Sequence, residues 1–316
     1  MPERLFLFLQ LEFPWELGPP DGRYLLRSRE ATGPPPPGRA GGETEAGGAG
    51  GPQHVVVLNT LGARSRTDAN AGRGALALPV LSARRARRAR ETTPEPAPVP
   101  SSRATIIDPV SVSAERQAQA WLKGLDAERE TLAATAVLNR VLYAHRIATA
   151  DPHTHEVAPA QALVIRAGWG EGEQLADGRW GHALELPWAP RKRAQRRAAA
   201  LRPQERLAEL LGARTRELLC EELALRARLD LDQGRLAHAA IGLDAAIRAA
   251  VVELREEGRQ DLAIRIAELE QLGGPVVEAA TAVQSIGGPL PQEDLLEHAL
   301  GRLQAALRAR TAVGLP

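Results

Sequence analysis

Along residues 9–13 apolar and polar positions alternate, with Leu9, Leu11 and Phe13 on one side and Gln10 and Glu12 on the other. Period two is the mark of a half-buried strand, and the Leu- and Phe-rich run Leu5–Phe13 reads as one. GPPDGR at residues 18–23 is a turn signal, so residues 24–27 are expected to return as the second strand of a hairpin. HVVVLNTL (His54–Leu61) is a β-branched apolar run and reads as a buried strand. Further strands are expected at 104–108, at 160–166 and near 183–186. Helical spacing appears between them. Ser113 is placed to cap a helix from Ala114 towards Leu122, which Gly124 breaks. A longer helix over 127–148 carries Ala133, Val137, Val141 and Ala144 on one stripe.

Beyond Pro190 the pattern is helical to the last residue. Helices are expected at Pro203–Leu211, 215–232, 235–256, 259–272, 276–285 and 292–310. Gly212, Gly234, Gly258, Gly273-Gly274 and Gly287-Gly288 punctuate them. The clearest stripe is Leu236, Ala240, Leu243, Ile247, Ala250 and Leu254, with spacing that alternates four and three. So short a stripe suits the core of a bundle or a seam for another helix, and both readings stay open. The expected architecture is an α+β N-terminal domain over residues 1–188, a small mixed or antiparallel sheet with helices, joined to an all-α C-terminal helical bundle over 190–316.

The hairpin around Gln233-Gly234 resembles a single tetratricopeptide unit. Ala227, Ala239 and Ala246 fall at that family's small-residue positions and Leu243 at a large apolar one. The chain departs from the family at Arg226, Asp230 and Val251, where an apolar residue, an aromatic and a proline are usual. No second copy follows, and stacked repeats need about three. The resemblance implies a helical hairpin.

Composition changes this picture in three places. Aromatic content is 3%, so core filling falls to Leu, Ala, Val and Ile. Two segments, near 29–53 and 62–102, are dominated by Gly, Pro, Ala and Arg and are expected to be disordered insertions, with 75–81 as the one part apolar enough to order. Net charge is +1, which gives no global drive towards nucleic acid or membrane. The apolar N-terminal run is too short to span a bilayer and is interrupted by Gln10, Glu12 and Pro14, so a cytoplasmic location is expected.

The most site-like stretch is RAGWGEGEQLADGRWGHALELPW, residues 166–188. Its glycines alternate as in a phosphate loop, but Glu171 and Glu173 repel phosphate and no helix follows. It reads as strand, glycine-rich loop, Asp-Gly turn and strand. Trp169, Glu171, Trp180 and His182 are its ligand-loop candidates, with Trp188 adding aromatic area. His145, His153, His155 and Glu156 could supply metal ligands if they converged. Cys220 lies in an apolar helical run and reads as a buried thiol. No catalytic or cofactor motif is present, so no cofactor is expected.

Two arginine clusters stand at residues 84–90 and 191–197. Residues 64–103 hold nine arginines against three acidic residues, without interleaved aromatics. They read as solvated linker or as an arm for non-specific nucleic-acid binding. Three functional readings follow. The leading one is a non-enzymatic interaction or scaffold protein that binds a protein partner or itself, with Leu236, Leu243, Ile247 and Leu254 as the candidate face. The others are a nucleic-acid-associated protein and an enzyme or ligand-binding protein with a site in residues 145–188.

Overall fold

A computed structural model describes residues 4–27, 53–62, 99–188, 202–285 and 288–313. The chain divides into two compact units, Met1–Ala189 and Pro190–Pro316. The first holds a six-stranded antiparallel sheet of order β2-β3-β4-β1-β5-β6. Its strands are β1 (Leu5–Phe13), β2 (Gly22–Leu26), β3 (His54–Leu61), β4 (Ser101–Ile107), β5 (Val164–Glu171) and β6 (His182–Glu185). Helices α1 (Glu115–Lys123) and α2 (Ala127–Thr149) complete it. Most of the two expected insertions, and the 75–81 stretch, lie outside the described residues. The expected end of the second insertion at 102 is corrected, because β4 starts at Ser101.

β1 and β2 do not form the expected hairpin. β1 is central, paired with β4 and β5, while β2 is an edge strand paired with β3. The link between them is tied to the strands it passes. The Leu17 amide donates to Ser102 Oγ of β4 at 3.1 Å. Asp21 Oδ1 accepts the amide and hydroxyl of Thr60 in β3, both at 2.8 Å. The turn residues thus carry the chain past the ends of β4 and β3 to the far edge.

One sheet face packs on α2. Leu9, Leu11 and Phe13 point there, as their alternation predicts, together with Val56, Leu58, Ala104 and Ile106. The buried stripe of α2 is Ala134, Val137, Leu138, Val141 and Leu142; Ala133 and Ala144, expected on it, are exposed. Asn139 is a polar residue in this core with both its side-chain nitrogen and its oxygen bonded. It donates to the Val157 carbonyl at 2.9 Å and accepts the Val157 amide at 2.8 Å, so it fixes the connection to β5 against the helix. Asp126 caps α2 by accepting the Arg129 amide at 3.1 Å. Ser113 does not cap α1: the N-cap is Ala114, without a side-chain bond.

The opposite face is covered by the connection between β5 and β6. A 3-10 turn at Gly172–Asp177 folds back so that Leu175 joins Phe8, Val55 and Ile107 in a second small core. Gly168 and Gly170 are not in a loop but in β5. A Cβ on Gly168 would stand 2.2 Å from the His182 carbonyl oxygen, and one on Gly170 would stand 2.6 Å from Leu175 Cδ2. The alternating glycines are therefore the space that lets this cover lie against the strand.

The second unit is helical: α3 (Pro203–Leu211), α4 (Leu219–Asp232), α5 (Leu236–Glu256), α6 (Ala263–Ala282) and α7 (Glu293–Val313). Gly273-Gly274 does not separate two helices, as its composition suggests. α6 runs through it and through Pro275, because Ile266, Leu269, Val276 and Ala280 continue one buried stripe with Gly273 facing Ile247. Packing of that stripe offsets the poor helix propensity of Gly-Gly-Pro. The α4–α5 hairpin is close-packed through small residues: Ala227, Ala239 and Ala246 are buried, and Gly242 faces Ala227.

Candidate functional site

The ligand-loop candidates are divided between the two sheet faces: Trp169 and His182 meet on one, and Trp180 lies on the other. Trp169 is buried in β5, registered against Leu7, and stacks on His182 of β6 with ring centroids 4.8 Å apart. Trp180 belongs to the other face, where it stacks on Phe8 at 5.6 Å. The sheet separates the two indoles, so they cannot form one platform. Glu171 ends β5 in an exposed position. Beneath Trp180, Glu12 Oε1 accepts both Arg103 and Arg166, at 3.0 and 2.8 Å, a part-buried cross-strand knot. These groups hold the cover in place.

The histidine-rich turn is likewise structural. Asp151 Oδ1 accepts the His153 amide at 2.9 Å and Oδ2 accepts the Thr154 hydroxyl at 2.9 Å, closing an Asx turn. His153 and His155 are exposed, while Glu156 pairs with Arg146 at 3.5 Å. Among the described residues no group of three or more His, Cys, Asp or Glu is placed to hold a metal ion.

A site the sequence patterns do not signal lies on the sheet face that packs on α2. His54 and Asp108 stand one step beyond the Val55–Ile107 pair, and the Asp108 amide donates to the Leu7 carbonyl at 3.0 Å. Above them, Trp121 of α1 and Glu130, Ala133, Ala134 and Val137 of α2 close an open cavity of about 150 Å³. Burial holds the His54 imidazole below its ordinary pKa; Arg140 adds to this and Asp108 opposes it. No motif could have found this group, because four separate elements contribute it.

In the helical unit, Leu243, Ile247 and Leu254 are buried in its own core and Leu236 is partly buried against it. The expected partner face is thus occupied from within the chain, by α4, α6 and α7. The open surface lies elsewhere. α3, α4 and α7 enclose a groove of about 900 Å³ whose apolar lining includes Leu207, Leu210, Ala224, Leu225 and Leu307. Leu225 is 66% exposed and Leu207 49%. α3 has no buried residue, and its Leu207 and Leu211 are exposed.

Cys220 is buried, and burial pushes its thiol pKa up, with Glu253 adding to the effect. A thiol held protonated is a poor nucleophile. Its neighbour Glu253 has a structural role. From α5 it accepts the Leu219 amide at 2.9 Å and the Cys220 amide at 3.0 Å, capping α4 in trans. Burial works against the Glu253 charge, but the bonds from Cys220 and Leu219 outweigh it and hold the pKa below the ordinary value. The stability from this cap is present above the unfolded-state pKa and is lost as pH falls through the lower folded-state value. Glu253→Gln is expected to cost about 1 kcal/mol at neutral pH. The loss should shrink at acid pH, and urea unfolding at pH 7 and pH 3.5 checks both statements. Equal losses at the two pH values would remove the charged-cap account.

The arginine clusters at 84–90 and 191–197 lie outside the described residues. No helix among the described residues is long and apolar enough to cross a membrane. No family model, curated protein or solved structure matches the chain.

Proposed function

We propose that this is a non-enzymatic interaction protein that works by self-association through its helical unit. The observation that carries the reading is the apolar groove of about 900 Å³ between α3, α4 and α7, beside an amphipathic helix with no buried residue. Exposed leucines of this kind mark interaction surfaces. A second copy is the favoured occupant because the chain carries both halves of the contact: the groove, and the exposed Leu211 on α3, outside the groove lining, as an apolar insert. A two-fold contact needs such self-complementarity. Charged side chains line the groove as well: Glu217, Arg308 and the Glu222–Arg226 pair, which is closed within α4 at 2.7 Å.

Light scattering on the full chain tests this. A dimer is expected, converted to monomer by Leu207→Glu with Leu225→Glu. Both side chains are exposed, so the substitutions leave the core intact. A wild-type monomer at all concentrations overturns the reading. So does a mass excess accompanied by raised 260 nm absorbance, which would assign the association to nucleic acid.

A further inference from the structure

We propose that the cavity between the sheet end and helices α1 and α2 binds a small organic ammonium ion. The volume is about 150 Å³, the size at which a protein cavity takes a benzene-sized guest. Its floor is apolar, built by Leu7, Leu9 and Ile106 of the sheet, with Val137 of α2 above. Its polar lining is selective in sign. Asp108 and Glu130 are the formally charged side chains on it, and no Arg or Lys among the described residues lines it.

The two carboxylates differ. Glu130 is already neutralised by Arg129, its Oε1 accepting Nη2 at 2.8 Å. Asp108 Oδ1 accepts the Val110 amide at 2.9 Å, and Oδ2 has no hydrogen-bond partner among the described residues. Asp108 lines the cavity with an exposed side chain, so its carboxylate is open to a cation that brings its own N–H donors and rests its apolar part on the floor. Trp121 contributes an aromatic wall, which attracts ammonium through its ring quadrupole. His54 adds an imidazole without a hydrogen-bond partner among the described residues. Its lowered pKa leaves it uncharged at neutral pH, where it can accept an N–H bond and does not repel the cation. Arg140, whose charge is felt at His54, donates to the Arg27 carbonyl at 3.0 Å and does not line the cavity. The floor sorts cations by shape: a bare metal ion gains nothing from it, whereas an alkyl group does.

The probe is cyclopentylammonium, with cyclopentanol as its uncharged counterpart, titrated into the full chain. The readouts are the nitrogen and proton shifts of the His54 imidazole and the Trp121 indole. Saturable shifts at both residues are expected with the ammonium, and binding about tenfold weaker with the alcohol. Asp108→Asn keeps an oxygen for the Val110 amide and hence the turn, and is expected to weaken ammonium binding about tenfold while leaving the alcohol unchanged. Three results overturn the proposal: no response to the ammonium at either residue, equal affinities for the two compounds, or ammonium binding indifferent to Asp108→Asn. Should the variant unfold the sheet unit, the comparison of the two compounds on the wild type still decides.

Discussion

Leu243→Asp is expected to unfold the helical unit. The side chain is 1% exposed and sits mid-helix in α5, surrounded by the cores of α4, α6 and α7. Removing its methyl groups alone, as in Leu243→Ala, should cost about 3 kcal/mol through lost burial and the cavity left behind. An aspartate there adds an unpaired charge with no water and no cation to meet it, which costs several kcal/mol more. A single domain of this size has roughly 5–15 kcal/mol of stability in all, so the charged variant should populate the unfolded unit at room temperature. Ile247→Asp should behave alike, since Ile247 is equally buried and meets Gly273 of α6. Circular dichroism and thermal unfolding give the answer. A variant that stays folded and only changes oligomeric state would show that the stripe is accessible, and would return the partner face to α5. Leu225→Glu on the groove makes the contrast: with its side chain largely exposed, it should leave the helical signal intact.

Gly168→Ala is expected to destabilise the sheet unit by about 2–3 kcal/mol, a large effect for one methyl group. The new Cβ would stand 2.2 Å from the His182 carbonyl oxygen and 2.9 Å from Ala183 Cα. Both are backbone atoms of β6, which is registered against β5 at Gly168–Ala183 and Trp169–His182, so neither can yield without breaking that pairing. Phe8 blocks the third direction, with Cε1 at 3.0 Å. Gly172→Ala separates this steric effect from backbone conformation. Gly172 has φ of +57° and nothing within 4 Å of a Cβ, so alanine there should cost only about 1 kcal/mol of conformational strain. Denaturant unfolding of both variants tests the difference. Equal, small losses would mean that β6 moves freely and that the Trp180 cover is not packed on the strand.

Much of the element structure is legible in the chain before any fold is known. Leu9, Leu11 and Phe13 alternate because one side of β1 meets α2, and the period is the direct record of that burial. The α5 stripe is legible for the same reason, at helical period. What it faces is not: a buried stripe in a bundle and a docking seam have one pattern, because both exclude water. The glycines of residues 168–172 mislead for a related reason. Glycine signals a turn through its conformational freedom, but at 168 and 170 the need is for missing volume, and only the neighbouring cover reveals it. At Gly273-Gly274-Pro275 the local propensity for a break was real, and continued burial on both sides overrode it.

Periodicity and composition by themselves determined the α+β order, the helical second half, the position of most elements and the apolar side of β1 and α5. These are local properties, written within a few turns or a few residues of one another. Tertiary structure alone decided the strand order, the cover over the second sheet face, and the burial of the α5 stripe. It also decided both candidate sites. His54, Asp108, Trp121 and Glu130 come from β3, the end of β4, α1 and α2, and the groove from three helices that are not consecutive. Convergence of that kind depends on which surfaces the core leaves free after packing, and no spacing along the chain records it.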